Sequence, residues 1–260
     1  EYDFPYDWKE ETIVDNYLKC SEYHRAVDGM KTEIFVPGSR TQITMQRNAA
    51  AYGDFVIQNV SVNGTFWDGD DSGSSTYRFI PQSEFLGTGG VAEKCPSENG
   101  LSITFRMSYG LFDYYTGGDA SNNGEDYFSW KNTENHLAAV VGQVEAMKAN
   151  HHGSYDACSS SFMSALDPQV IITQTWNNKQ PRKETMDRFL TYTRADVFIT
   201  NPDKTLKGTY SDDALKIIKS DAGHYVIRVA PGGDSYYVYV LEDDDETMTV
   251  VDSFGPYRCR

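Results

Sequence analysis

The stretch from Ser160 to Thr200 constrains this chain most. It alternates a helical pattern over Ser160–Leu166, the apolar run Val170-Ile171-Ile172-Thr173, a helical pattern over Lys183–Tyr192, and a second apolar run, Asp196-Val197-Phe198-Ile199-Thr200. Alternation of this kind predicts a layered domain with helices outside a sheet. Antiparallel strands are expected on both sides of it. Upstream, Glu33-Ile34-Phe35-Val36 stops at Pro37-Gly38, Thr41–Met45 alternates, and Asp54–Val60 alternates again. A strand ending near Trp67 and another over Tyr77–Ile80 flank a polar Gly/Ser-rich loop over residues 69–75, and Gly87–Gly100 reads as a second loosely ordered stretch.

A hairpin follows: Leu101–Met107, a Ser108-Tyr109-Gly110 turn, and Leu111–Tyr115, ending in Thr116-Gly117-Gly118-Asp119. After a polar loop, Leu137, Val140, Val141, Val144 and Met147 share one helix face, which predicts a helix from Thr133 to Lys148. Another amphipathic helix is expected over Glu10–Val27. The C-terminal region predicts strands at His224–Val229, Tyr236–Leu241 and Met248–Val251, separated by a Pro-Gly-Gly-Asp turn and an acidic Glu242–Glu246 turn. The 260 residues fit one α/β domain spanning 1–260, with no repeat or low-complexity tract.

Charge narrows the partners. The 23 Lys+Arg against 38 Asp+Glu give a net charge of −15, a surface that repels phosphates rather than capturing nucleic acid nonspecifically. No apolar run approaches the ~20 residues of a membrane span. The first residues carry neither an initiating Met nor a leader pattern, so Glu1 reads as a processed end or an internal cut. The four cysteines, Cys20, Cys95, Cys158 and Cys259, match no zinc or redox spacing. Two sequons, Asn59-Val60-Ser61 and Asn63-Gly64-Thr65, look exposed, though chance accounts for them more simply than glycosylation.

Only five histidines are available for chemistry. His24, His136 and His224 stand alone and read as structural, whereas His151-His152-Gly153-Ser154 puts two imidazoles on one loop. Asp119 lies at the end of a strand, within Thr-Gly-Gly-Asp. Together the three offer oxygen and nitrogen ligands suited to zinc, iron or manganese. The plain alternative is an Asx turn at Asp119 and histidines that shape a loop.

These residues carry a resemblance. The order Glu98–Phe105, Tyr109–Phe112, Tyr115–Asp119, Met147–Ser154, Leu166–Ile172 resembles the metallo-β-lactamase superfamily, most closely its branch containing the hydrolase domain of the bacterial competence DNA-uptake channel. The likeness is specific over about residues 98–200 and diffuse elsewhere. It implies an αββα sandwich of mixed and antiparallel strands with outer helices, here represented by its later part. By the same resemblance Asp119 bridges two metals, one of His151 and His152 completes the second site, and the other contacts substrate or supports the ligands. Asn99 and Ser102 match the branch's Asn-x-x-Ser beside the metals.

The superfamily's His-x-His-x-Asp-His signature is absent, since no two histidines here are separated by one residue. The expectation is therefore a domain incomplete at its N-terminus. Three ligands fall short of the about six or seven of a dinuclear zinc centre, so residues 1–260 alone should turn over little or no substrate. Sheet surface left open by the missing segment would allow self-association. The reading is a metal-dependent hydrolase of a phosphoester or other ester, with export to the periplasm or outside the cell favoured. A nucleic-acid substrate stays open, the branch arguing for it and the acidic surface against. The rival reading is a secreted or surface binding module without catalysis, whose aromatic strands and Trp67 region stack on a glycan.

Overall fold

The computed structural model describes residues 12–70, 76–78, 98–122, 132–176, 179–244 and 246–260. The start of the expected first helix, most of the 69–75 loop, the end of the Tyr77–Ile80 strand, residues 87–97 with Cys95, and most of the polar loop before Thr133 lie outside them. The fold is mixed α/β. Nine strands form one large sheet in the order β3-β2-β1-β4-β5-β6-β7-β8-β9: β1 Val56–Val62, β2 Thr65–Trp67, β3 Thr76–Arg78, β4 Thr104–Tyr109, β5 Phe112–Thr116, β6 Ala146–Lys148, β7 Val170–Thr173, β8 Asp196–Ile199 and β9 Ile218–Ser220. The sheet is antiparallel from β3 to β5 and parallel from β5 to β9. A second sheet joins β10 His224–Val229, β11 Ser235–Leu241 and β12 Val250–Arg258, all antiparallel.

Burial follows from this layering. The parallel strands β6 and β7 are buried at every position, as strands covered on both faces must be. On one side lie helices α2 Thr133–Val141, α3 Ser160–Leu166, α4 Lys183–Tyr192 and α5 Asp212–Ile217. Leu137, Phe162, Leu166, Met186 and Phe189 from the first three join Met147, Ile171 and Val197 in the main core. On the other side β11 alternates, burying Tyr236, Val238 and Val240 and turning the first two onto Phe112, Ala146, Val170 and Phe198. Helix α1, Thr12–Val27, is exposed over most of its length. The small sheet therefore covers the central strands on the side away from the helices.

Several sequence expectations need correction. Gly142, at φ 70°, ends the helix that the apolar periodicity carried to Lys148. Val144 and Met147 are buried all the same, Met147 because β6 inserts between β5 and β7. Residues 33–36 and 41–45 form no strands. Gln42 takes the backbone groups a ladder would use, accepting from Val36 N at 2.9 Å and donating to Ile34 O at 2.6 Å. The hairpin turns at Gly110-Leu111, with Tyr109 paired to Phe112. Helix α5 and strand β9 were not expected. Asn59 is fully buried in β1 and donates to Val36 O, so its sequon is not exposed. Cys20, Cys158 and Cys259 are free thiols.

Candidate metal-binding site

Parallel strands bring their carboxyl ends to one edge of the sheet, and loops there converge. β5 ends at Thr116 and runs into Gly117-Gly118-Asp119, and β6 ends at Lys148 and runs into Ala149-Asn150-His151-His152. The two loops are tied together. His151 N donates to Gly118 O at 3.1 Å, and the Lys148 ammonium donates to Gly118 O at 2.8 Å and Ala149 O at 2.9 Å. Lys148 is nearly buried, and burial lowers its pKa despite the nearby Asp119 carboxylate. From the other side Ser102 Oγ accepts from Asp119 N at 3.1 Å while donating to Asn99 O at 2.8 Å.

The histidine turn is conformationally unusual. His151 (φ 45°), His152 (φ 56°) and Gly153 (φ 76°) are all left-handed, and a Cβ on Gly153 would sit 2.7 Å from Pro181 Cβ. Non-glycine residues adopt that region only when surrounding bonds over-determine it. Those bonds are present. Ser154 N donates to His151 O, Gln180 Nε2 donates to the same oxygen at 3.2 Å, and Arg182 N donates to Gly153 O at 2.8 Å. Beneath the turn the fully buried Glu134 carboxylate accepts from Asn150 Nδ2 at 3.0 Å, Cys158 N at 2.6 Å and Ser159 N at 2.7 Å. Burial raises the Glu134 pKa, with these donors partly offsetting it. It also pushes the Tyr115 phenol and the Cys158 thiol upward.

The strained turn sends the two rings to different partners. His152 Nε2 lies 3.5 Å from Asp119 Oδ1, and its Nδ1 lies 2.6 Å from Gln174 O. A carbonyl oxygen can only accept, so Nδ1 carries the proton and, in the neutral ring, Nε2 presents a lone pair toward the carboxylate. Two acceptors face one another there, and a cation or a proton must lie between them. Zinc–nitrogen and zinc–oxygen bonds of ~2.0–2.2 Å in a tetrahedron put neighbouring ligands about 3.3–3.5 Å apart, which the pair matches. His151 has turned away: its Nδ1 lies 3.1 Å from Asp156 Oδ1 and its Nε2 3.3 Å from Asn99 Nδ2.

Of the five residues singled out in the sequence, Asp119 and His152 therefore form the donor pair, Ser102 holds the Asp119 backbone, and Asn99 holds His151. Three or more carboxylate, imidazole or thiolate donors converge, among the described residues, only at the turn Glu242-Asp243-Asp244, to which neither Asp119 nor His152 belongs. Glu134, Asp156 and Gln174 escaped sequence reasoning. A Lys inside the apolar run Ala146-Met147-Lys148-Ala149 was the one signal available. No protein-family model matches the chain, and no curated protein matches it.

Proposed function

We propose that this chain contributes the Asp119–His152 half of the metal centre of an ester hydrolase resembling the metallo-β-lactamase superfamily. One observation carries the reading: the Gln174 carbonyl fixes the His152 tautomer so that a ring lone pair faces a carboxylate oxygen 3.5 Å away. A carbonyl behind a ligating imidazole is the usual support of such a ligand. When bound, a divalent zinc, manganese or iron ion supplies Lewis acidity and an acidified water. The protein's own residues set the geometry. Lys148 and Ser102 fix the Gly118-Asp119 backbone, Glu134 fixes Asn150 ahead of the histidines, and Asp156 with Asn99 holds His151 beside the pair.

Two converging donors make a weak site on their own, and residues 1–260 should show negligible turnover. Zinc titration by calorimetry tests the assignment. Asp119→Ala and His152→Ala are each expected to weaken binding at least ~10-fold, and His151→Ala to change it less than ~3-fold. Tight, stoichiometric binding that survives both Asp119→Ala and His152→Ala would overturn it. The rival glycan-binding reading loses its Trp67 platform, because that indole is buried and donates to Asp70 O at 2.9 Å.

A further inference from the structure

The two sheets do not close evenly. Under β11 the inward side chains Tyr236, Val238 and Val240 are buried, whereas under β10 the inward Tyr225, Ile227 and Val229 stay half-exposed. A cavity of about 630 Å³ fills the gap, bounded by β10, by Met107 and Tyr114 of the large sheet, and by Met45, Tyr52 and Phe55 ahead of β1. Pockets for small molecules span ~300–1,000 Å³. Its walls hold no Lys, Arg, Asp or Glu. Burial pushes the phenols of Tyr114 and Tyr225 up to about 12.

Polar groups sit at both ends, Ser108 and Tyr109 at one and three others at the opposite one. Gln174 and Thr200, which follow β7 and β8, line the cavity with His224, which opens β10. β6, β7 and β8 are parallel, so this end lies on the sheet edge that carries the histidine turn. Gln174 belongs to both places, lining the cavity and holding His152 through its carbonyl. From Tyr225 to Val229 the cavity follows β10 for ~13 Å, at about 3.3 Å per residue.

We infer that this cavity binds the uncharged acyl or alkyl tail of an ester substrate, with the ester at the Gln174 end. The inference rests on the hydrolase reading for the word substrate, but the binding itself does not. A phosphodiester polymer finds no cation in these walls.

The test uses the metal-free chain and a series of straight alkanols from hexanol to decanol, titrated by calorimetry. Affinity should rise about fourfold per added methylene, with one site per chain. Ile227→Trp, which fills the gap from β10, should weaken decanol at least ~10-fold, as should Met45→Trp, placed outside any strand, with the folded signal retained by circular dichroism. Failure of decanol to bind, indifference to chain length, or binding unchanged in whichever variant folds would each overturn the assignment. Zinc titration of the same preparation reads the Asp119–His152 pair separately, so loss of one result leaves the other standing.

Discussion

Glu134 gives the sharpest prediction. Its carboxylate is fully buried and meets three N–H donors: the Asn150 side chain and the backbones of Cys158 and Ser159. Glu134→Gln keeps the shape but turns one acceptor oxygen into a donor. If the amide nitrogen takes the Oε2 position it faces Ser159 N; in the other orientation it faces Cys158 N. Either way a buried backbone N–H loses its acceptor, at about 1–3 kcal/mol. Relief from burying a charge offsets part of this at neutral pH, leaving an expected loss of about 1–2 kcal/mol. The pH dependence is more diagnostic than the size. The folded-state pKa lies above the ordinary carboxyl value, so between the two the native state holds a proton the unfolded state has released. Stability from this group is fully present below the unfolded pKa and is lost as pH rises through the folded one. Urea unfolding from pH 4 to 8 should therefore show the wild type's advantage over Glu134→Gln shrinking with rising pH, then levelling. Glu145, whose pKa is also raised by burial, is common to both proteins and cancels in the difference. A difference that is flat with pH, or that grows as pH rises, would refute the buried-charge argument.

Other expectations follow from the same contacts. Gly153→Ala should destabilise by about 1–3 kcal/mol and weaken zinc binding, because φ is 76° there and the new Cβ meets Pro181; equal zinc affinity and midpoint would contradict it. Arg106 grips Asp113 through Nε (2.9 Å) and Nη2 (2.6 Å) and also donates to Val141 O, so Arg106→Lys should lower stability by about 1–2 kcal/mol in denaturant titration. With a thiol reagent on the native chain, exposed Cys20 should react first, while buried Cys158, its thiol pushed up by burial, should react only on unfolding; mass spectrometry of labelled peptides reads the order.

What the sequence made legible divides along a physical line. Val170–Thr173 and Lys183–Tyr192 were bounded correctly because a short apolar run and a helical stripe are local signals, settled within one element. Val144 and Met147 fitted a helix by spacing, and only the left-handed Gly142 broke it, so two neighbours' partners decided what period could not. The site follows the same rule. Asp119 and the histidine pair were readable as residue types at loop positions. Which ring meets Asp119 was not, because it depends on consecutive left-handed residues held by Gln180, Arg182 and Glu134, separated from His151 by 29, 31 and 17 positions. A motif states which donors arrive at an edge, and tertiary bonds state how they point. The tautomer that turns a His152 lone pair toward Asp119 is set by Gln174, a residue chosen for neither charge nor spacing, through a backbone oxygen that any side chain would have carried. The cavity shows the same separation more plainly: most of its wall residues are ordinary aromatics and aliphatics, and the space arises because β10 stands off from the large sheet where β11 does not.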